Sequence, residues 1–186
     1  NIHFRVASDF SNERLTGIYN IDYSLQSGEE NGVASPEFLQ NVDKFAEWYR
    51  SQPEVIHVNT ITDTFKRLNR NMHGDDQAWY KLPEARDLAA QYLLLYEMSL
   101  PYGLDLNNKI NLDKSATRCV VTMHNLSSNK VIEVAARARA WQQANLPANM
   151  QVEGSSPTVM FAHIGQRNIR SMIIGTSAAL VLISVI

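Results

Sequence analysis

The last sixteen residues, Ser171 to Ile186, read SMIIGTSAALVLISVI and carry no charged side chain, a pattern that nothing in the preceding 170 residues repeats. At about 1.5 Å of rise per residue, a helix of that length reaches roughly 24 Å, short of the approximately 30 Å hydrocarbon core of a bilayer. Such a run can be a buried core helix or part of a membrane helix. Its terminal position, the flanking Arg167 and Arg170, and the small residues Gly175, Thr176, Ser177, Ala178 and Ala179 favour the membrane. A signal peptide is excluded because the apolar segment lies at the wrong end. The shortness of the run predicts that the chain is a piece of a larger membrane protein.

The residues before it have the makings of one globular domain. The 186-residue chain is 45% hydrophobic and 19% charged, enough for a sizeable core over residues 1–165, leaving 166–186 as a juxtamembrane segment and a truncated transmembrane helix. A net charge of -2, with Lys and Arg scattered, leaves no electrostatic footprint for nucleic acid. Cys119 is the only cysteine, so an internal disulfide is impossible; within an alternating strand pattern it reads as a small buried hydrophobe.

Periodicity then gives the elements. Tyr19, Ile21, Tyr23 and Leu25 alternate with polar residues and predict a strand over 17–25. Ser35, Pro36 and Glu37 form a helix start, and Phe38, Val42, Phe45 and Tyr49 recur on one face of a helix to about Ser51, with Trp48 at its border. A second strand follows over 54–60, with Ile56 and Val58 expected on one side and Val55, His57 and Asn59 on the other. The stretch 63–83 is polar and mixed, with Phe65 and Leu68 suggesting a short helix and Gly74, Asp75 and Asp76 a loop.

Pro83 and Glu84 predict the start of another helix, whose apolar face (Leu88, Ala89, Tyr92, Leu93, Leu95, Tyr96) is broad enough for a sheet, a subunit or a lipid-like ligand. A third strand is expected over 116–124. Caps at 125–128 precede a helix to about Asn145 with Val131, Val134, Ala135, Ala138 and Trp141 inward, and 150–153 reads as a brief fourth strand. The order is that of an α+β, ferredoxin-like split β-α-β sandwich, an antiparallel sheet with helices on one face, a helical insertion in the middle crossover and a C-terminal partial transmembrane helix.

Catalytic and cofactor motifs are scarce. The sequence holds no G-x-S-x-G elbow, Gly-rich phosphate loop, H-E-x-x-H or C-x-x-C, so no catalytic residue, metal or cofactor is expected and the chain does not read as an enzyme. His73, Asp75 and Asp76 offer nitrogen and carboxylate donors close together, but their spacing matches no closed zinc site or calcium loop, and a solvated turn is the expectation.

Four stretches carry a family resemblance: GIYNIDYSLQSGEENGVASPEFL from Gly17, FAEWYRSQPEVIHVNTITDTFKRLNR from Phe45, YLLLYEMSLPYGLDL from Tyr92 and GSSPTVMFAHIGQRNIRSM from Gly154. Together with the Gly154–Pro157 turn leading into the apolar end, they resemble exporters of the resistance-nodulation-division (RND) superfamily, in the branch grouped with the mycobacterial membrane protein large (MMPL) transporters. The resemblance implies an extracytoplasmic, porter-type loop of the second half, on the outer side of a bacterial inner membrane, within a proton-driven exporter of lipids or other hydrophobic molecules. Its partners would be the remainder of the transporter chain, membrane lipid and a lipid-like substrate, with a homo-oligomer compatible. The family's intramembrane acidic relay has no counterpart in this stretch.

If the domain handles a greasy substrate, Tyr92, Tyr96, Met98 and Tyr102, with Phe161 on the segment leading to the membrane, offer large adaptable surfaces for a groove. Two other readings stay open. Arg167 and Arg170 beside the apolar run would suit a cytoplasmic, tail-anchored interaction module under the positive-inside rule, and a core C-terminal helix would suit a small soluble binding domain or enzyme.

Overall fold

The computed structural model describes residues 3–14, 19–101 and 106–185. Its elements are α1 (His3–Arg14), β1 (Tyr19–Gln26), α2 (Pro36–Arg50), β2 (Val55–Asn59), α3 (Ile61–Met72), α4 (Arg86–Ser99), β3 (Ala116–Met123), α5 (Ser128–Asn145) and α6 (Pro157–Val185). β3 lies between β1 and β2 and runs antiparallel to both, so β1 and β2, joined through α2, form a β-α-β unit split by the third strand. The connection from β2 to β3 carries α3 and α4, the helical insertion that composition suggested.

Alternation decides which face of the sheet is covered. Ile21, Tyr23 and Leu25 are buried and stand opposite Val121, Cys119 and Thr117, also buried. The other face carries Asn20, Asp22, Ser24 and Arg118, and the Asp22–Arg118 ion pair closes across it at 2.8 Å. α2 supplies the apolar stripe that meets the buried face: Phe38, Val42, Phe45 and Tyr49 all lie in the core. Each such side chain contributes about 1.5–3 kcal/mol through burial. Trp48 borders the stripe and stacks on Trp141 of α5 with ring centroids 5.5 Å apart.

Three expectations need correction. In β2 the pairing jumps between Val55 and His57, so Ile56 is the extra residue of a bulge. Val55 therefore turns to the core with Val58, while Ile56 is exposed, the reverse of simple alternation. The helix expected from Pro83 begins at Arg86, because Ala85 before it is extended and serves as the N-cap residue.

The fourth strand over 150–153 does not form either. Its donors are spent elsewhere: Met150 N–H donates to the Pro147 carbonyl, Gln151 N–H to the Ala148 carbonyl, and Val152 N–H to the side chain of buried Gln142 at 2.8 Å. Contact with β1 shrinks to a single antiparallel bridge, in which Asp22 and Ser155 exchange two backbone hydrogen bonds of 2.9 Å.

α1 escaped sequence reading altogether, since its residues lack a marked apolar stripe; Val6 and Phe10 stand exposed on it. The inward residues expected of α5 fare better, with Val131, Val134 and Ala138 buried and Ala135 and Trp141 packed at the core's edge. Ser127 caps that helix, its hydroxyl accepting from the Lys130 N–H.

Candidate functional site

The feature most unlike an ordinary α+β domain is the way α6 is seated and then leaves. Gly154 passes so close to β1 that a Cβ there would lie 2.7 Å from the Tyr23 hydroxyl, and only glycine fits. The Ser155 bridge fixes the next residue, and the Ser156 hydroxyl accepts from the Val159 N–H at 3.1 Å, capping a helix that has Pro157 in its first turn. Val159 and Ala162 then bury themselves where α6 packs on α5. Beside them runs a groove of about 280 Å³, lined by Ile132, Ala135, Ala136, Gly154 and His163 and bounded by the Arg139–Glu153 ion pair.

Past Gly165 nothing on α6 is covered. The helix runs unbroken for 29 residues and its most apolar window is wholly exposed. Ile173, Leu180, Leu182 and Ile183 are each more than half exposed, so the described residues do not bury this part of α6 in a core. By length and composition this helix is able to cross a membrane.

The residues expected to line a substrate groove are dispersed. Tyr92 is buried and its hydroxyl donates to Asn69 Oδ1 at 3.0 Å, a structural bond inside the core. Tyr96 packs partly against the core, whereas Met98, 77% exposed, lies on another side of the same helix. Tyr102 lies outside the described residues. Phe161, 64% exposed, sits on α6, which packs on α5 and β1, whereas α4 packs on α3 and on the turn at Gly32–Ala34.

A concavity that sequence reading missed lies where α4 ends. Leu100, Leu106, Ile110 and Leu112 line a cleft of about 270 Å³, bordered by the Lys114–Glu97 ion pair at 2.8 Å. The signal for it was faint: four aliphatic residues scattered through a loop rich in Asn and Asp. Asn107 and Asn111 complete its lining, so apolar and polar side chains share the cleft.

The titratable groups inside the domain are committed to structure. Burial pushes the Cys119 thiol up to about 12, which keeps it neutral and unreactive at physiological pH. The hydroxyls of Tyr23 and Tyr49 bond to each other in the core, and burial raises both well above the usual phenol range. Glu54 is buried; desolvation alone would raise its carboxyl, but the Arg137 guanidinium at 2.7 Å and the Lys130 ammonium at 3.4 Å hold it below the ordinary 4.5.

The His73, Asp75 and Asp76 turn is likewise occupied. His73 stacks on Trp79 and bonds the Asn69 carbonyl at 2.7 Å, Asp75 pairs with Arg70, and Asp76 accepts from the Ala78 N–H. Among the described residues no group of three or more His, Cys, Asp or Glu is placed to hold a metal ion. Compared with protein-family models, curated proteins and solved structures, the chain finds no match.

Proposed function

We propose that this chain is the porter-type domain of an RND-like membrane exporter of the MMPL branch, facing the outside of the inner membrane and joined by α6 to the bilayer. The observation that carries the reading is the continuity of α6: its first turns are welded to the domain through Val159 and Ala162, and beyond Ser171 it presents apolar side chains on every side. A domain held in this way moves with its membrane helix as one body, which is what transport by changes in subdomain packing requires.

The split β-α-β sheet supports the same reading as a reduced ferredoxin-like layer in which the Ser155 bridge stands at the edge of β1. The aliphatic cleft at the end of α4 and the exposed Leu94, Leu95 and Met98 beside it are consistent with a hydrophobic substrate. Energy coupling would come from acidic membrane residues elsewhere in the transporter.

Arg167 and Arg170 favour a second reading, a tail-anchored module on the cytoplasmic side. Cys119 is too deeply buried to report sidedness, so the test uses Gln143→Cys at an exposed position of α5. In intact cells, a membrane-impermeant maleimide should label this cysteine; labelling only after lysis would place the domain in the cytoplasm and end the exporter reading. Replacing Tyr96 and Met98 with alanine in the full transporter, with expression checked, should lower export of a hydrophobic dye; unchanged export removes these two residues from the substrate path.

A further inference from the structure

The segment of α6 between the domain and its apolar run has a composition that the anchor itself does not need. His163, Arg167, Arg170 and Ile174 recur at spacings of four, three and four and so share one stripe of the helix. With Ile164, Gln166 and Ser171 they make up one exposed flank of the helix. Along about 16 Å of helix axis the stripe passes from imidazole and guanidinium groups to an aliphatic side chain one turn deeper.

Among the described residues neither arginine has a counter-ion. The chain holds no Asp or Glu after Glu153, and Glu153 itself is paired with Arg139. The carboxylates at the near end of α5 are taken as well, since Glu133 pairs with Lys130, and Glu54 with Lys130 and Arg137. Two guanidinium groups one helical turn apart repel each other and favour an anion that both can reach. A phosphate diester suits them, because the planar fork of arginine binds its oxygens in pairs.

From this geometry we infer that Arg167 and Arg170 form a headgroup site for an anionic phospholipid, with the phosphate between the guanidinium groups and an acyl chain running down past Ile174. The inference rests on the reading that α6 enters a bilayer, but not on which side of the membrane the domain lies. The occupant is a lipid and not a free phosphate because the cationic stripe runs directly into the apolar segment of the same helix. The bound headgroup would fix the depth at which α6 sits, and hence the height of the domain above the membrane.

The test uses the full 186-residue chain reconstituted in vesicles of phosphatidylcholine with a minor share of phosphatidylglycerol. Alkaline extraction is followed by native mass spectrometry of the lipid retained after gentle solubilisation. The chain should resist extraction and keep phosphatidylglycerol over phosphatidylcholine by on the order of tenfold or more relative to the bulk mixture, since each cationic side chain near an anionic surface is worth roughly fivefold. R167Q/R170Q should bring the retained ratio back to that of the bulk, and R167K/R170K should keep part of the preference.

Both arginines are exposed, so the melting of the domain serves as the folding control and should not change. A chain that resists extraction but retains lipid at the bulk ratio, or a preference that survives R167Q/R170Q, overturns the headgroup site and leaves the anchor standing. Release of the chain by alkali overturns both.

Discussion

α2 and the outer part of α6 are both rich in large apolar side chains, yet they end in opposite surroundings. Six aromatic and aliphatic residues of α2 lie in the core, whereas the apolar residues of α6 beyond Gly165 are exposed. The difference is in arrangement: α2 confines its apolar residues to one stripe and turns Glu37, Lys44 and Glu47 to water, while the end of α6 has no polar face to turn. A stripe specifies a partner within the fold; an unbroken apolar surface specifies a solvent. The junction near Gly165 is where one rule gives way to the other within a single helix.

The sharpest way to break this comparison is to remove one side chain from each region. Phe45→Ala takes a fully buried ring from among Tyr23, Tyr49, Trp48 and Trp141 and should cost the domain about 3–5 kcal/mol in urea or thermal denaturation. Ile174→Ala, on the exposed part of α6, should change the same transition by less than about 0.5 kcal/mol. Comparable losses from the two would mean that the outer part of α6 also packs on the domain.

Gly154→Ala probes the point where the two regions are joined. Its methyl group would press on Ile21 and Tyr23, and overpacking of this kind should cost about 1–3 kcal/mol. The Ser155 bridge should loosen with it, seen as faster hydrogen exchange at the Asp22 amide.

Glu54→Gln should destabilise the domain by about 2 kcal/mol at neutral pH, because it weakens a buried hydrogen-bonded ion pair with Arg137. The folded-state carboxyl titrates below 4.5, so its stabilising effect is present above that value and fades as the pH falls through the lower, folded one. The gap between the wild type and Glu54→Gln should therefore be full at neutral pH and close in acid. A gap that widened in acid would contradict the assignment. Smaller still, Tyr92→Phe removes a donor from Asn69 Oδ1 and should cost about 1 kcal/mol, with no change in lipid retention by α6.

The sequence made the periodic elements plain and concealed those that depend on where backbone donors go. Phe38, Val42, Phe45 and Tyr49 announce their helix face because each turn repeats the signal, and the Ile21, Tyr23 and Leu25 alternation is equally open. Ile56 misled because a bulge leaves no mark on composition and reverses the faces after one residue. The segment 150–153 misled because its pairing was lost to Gln142, a partner eight to eleven residues away whose burial no local pattern reveals.

The substrate residues were the least legible part. Tyr92, Tyr96 and Met98 share a helix, and chemistry alone does not tell a core tyrosine from an exposed methionine. The apolar end, by contrast, was legible as membrane-like, although the helix that carries it begins at Pro157, well inside the domain.

That α6 leaves the domain near Gly165 and enters lipid is tested most directly by single spin labels placed along it in vesicles. Labels at positions 173, 180 and 183 should be accessible to oxygen and shielded from a water-soluble nickel reagent, while one at 162 should be shielded from both. Ready access of the nickel reagent to 180 and 183 would contradict the account.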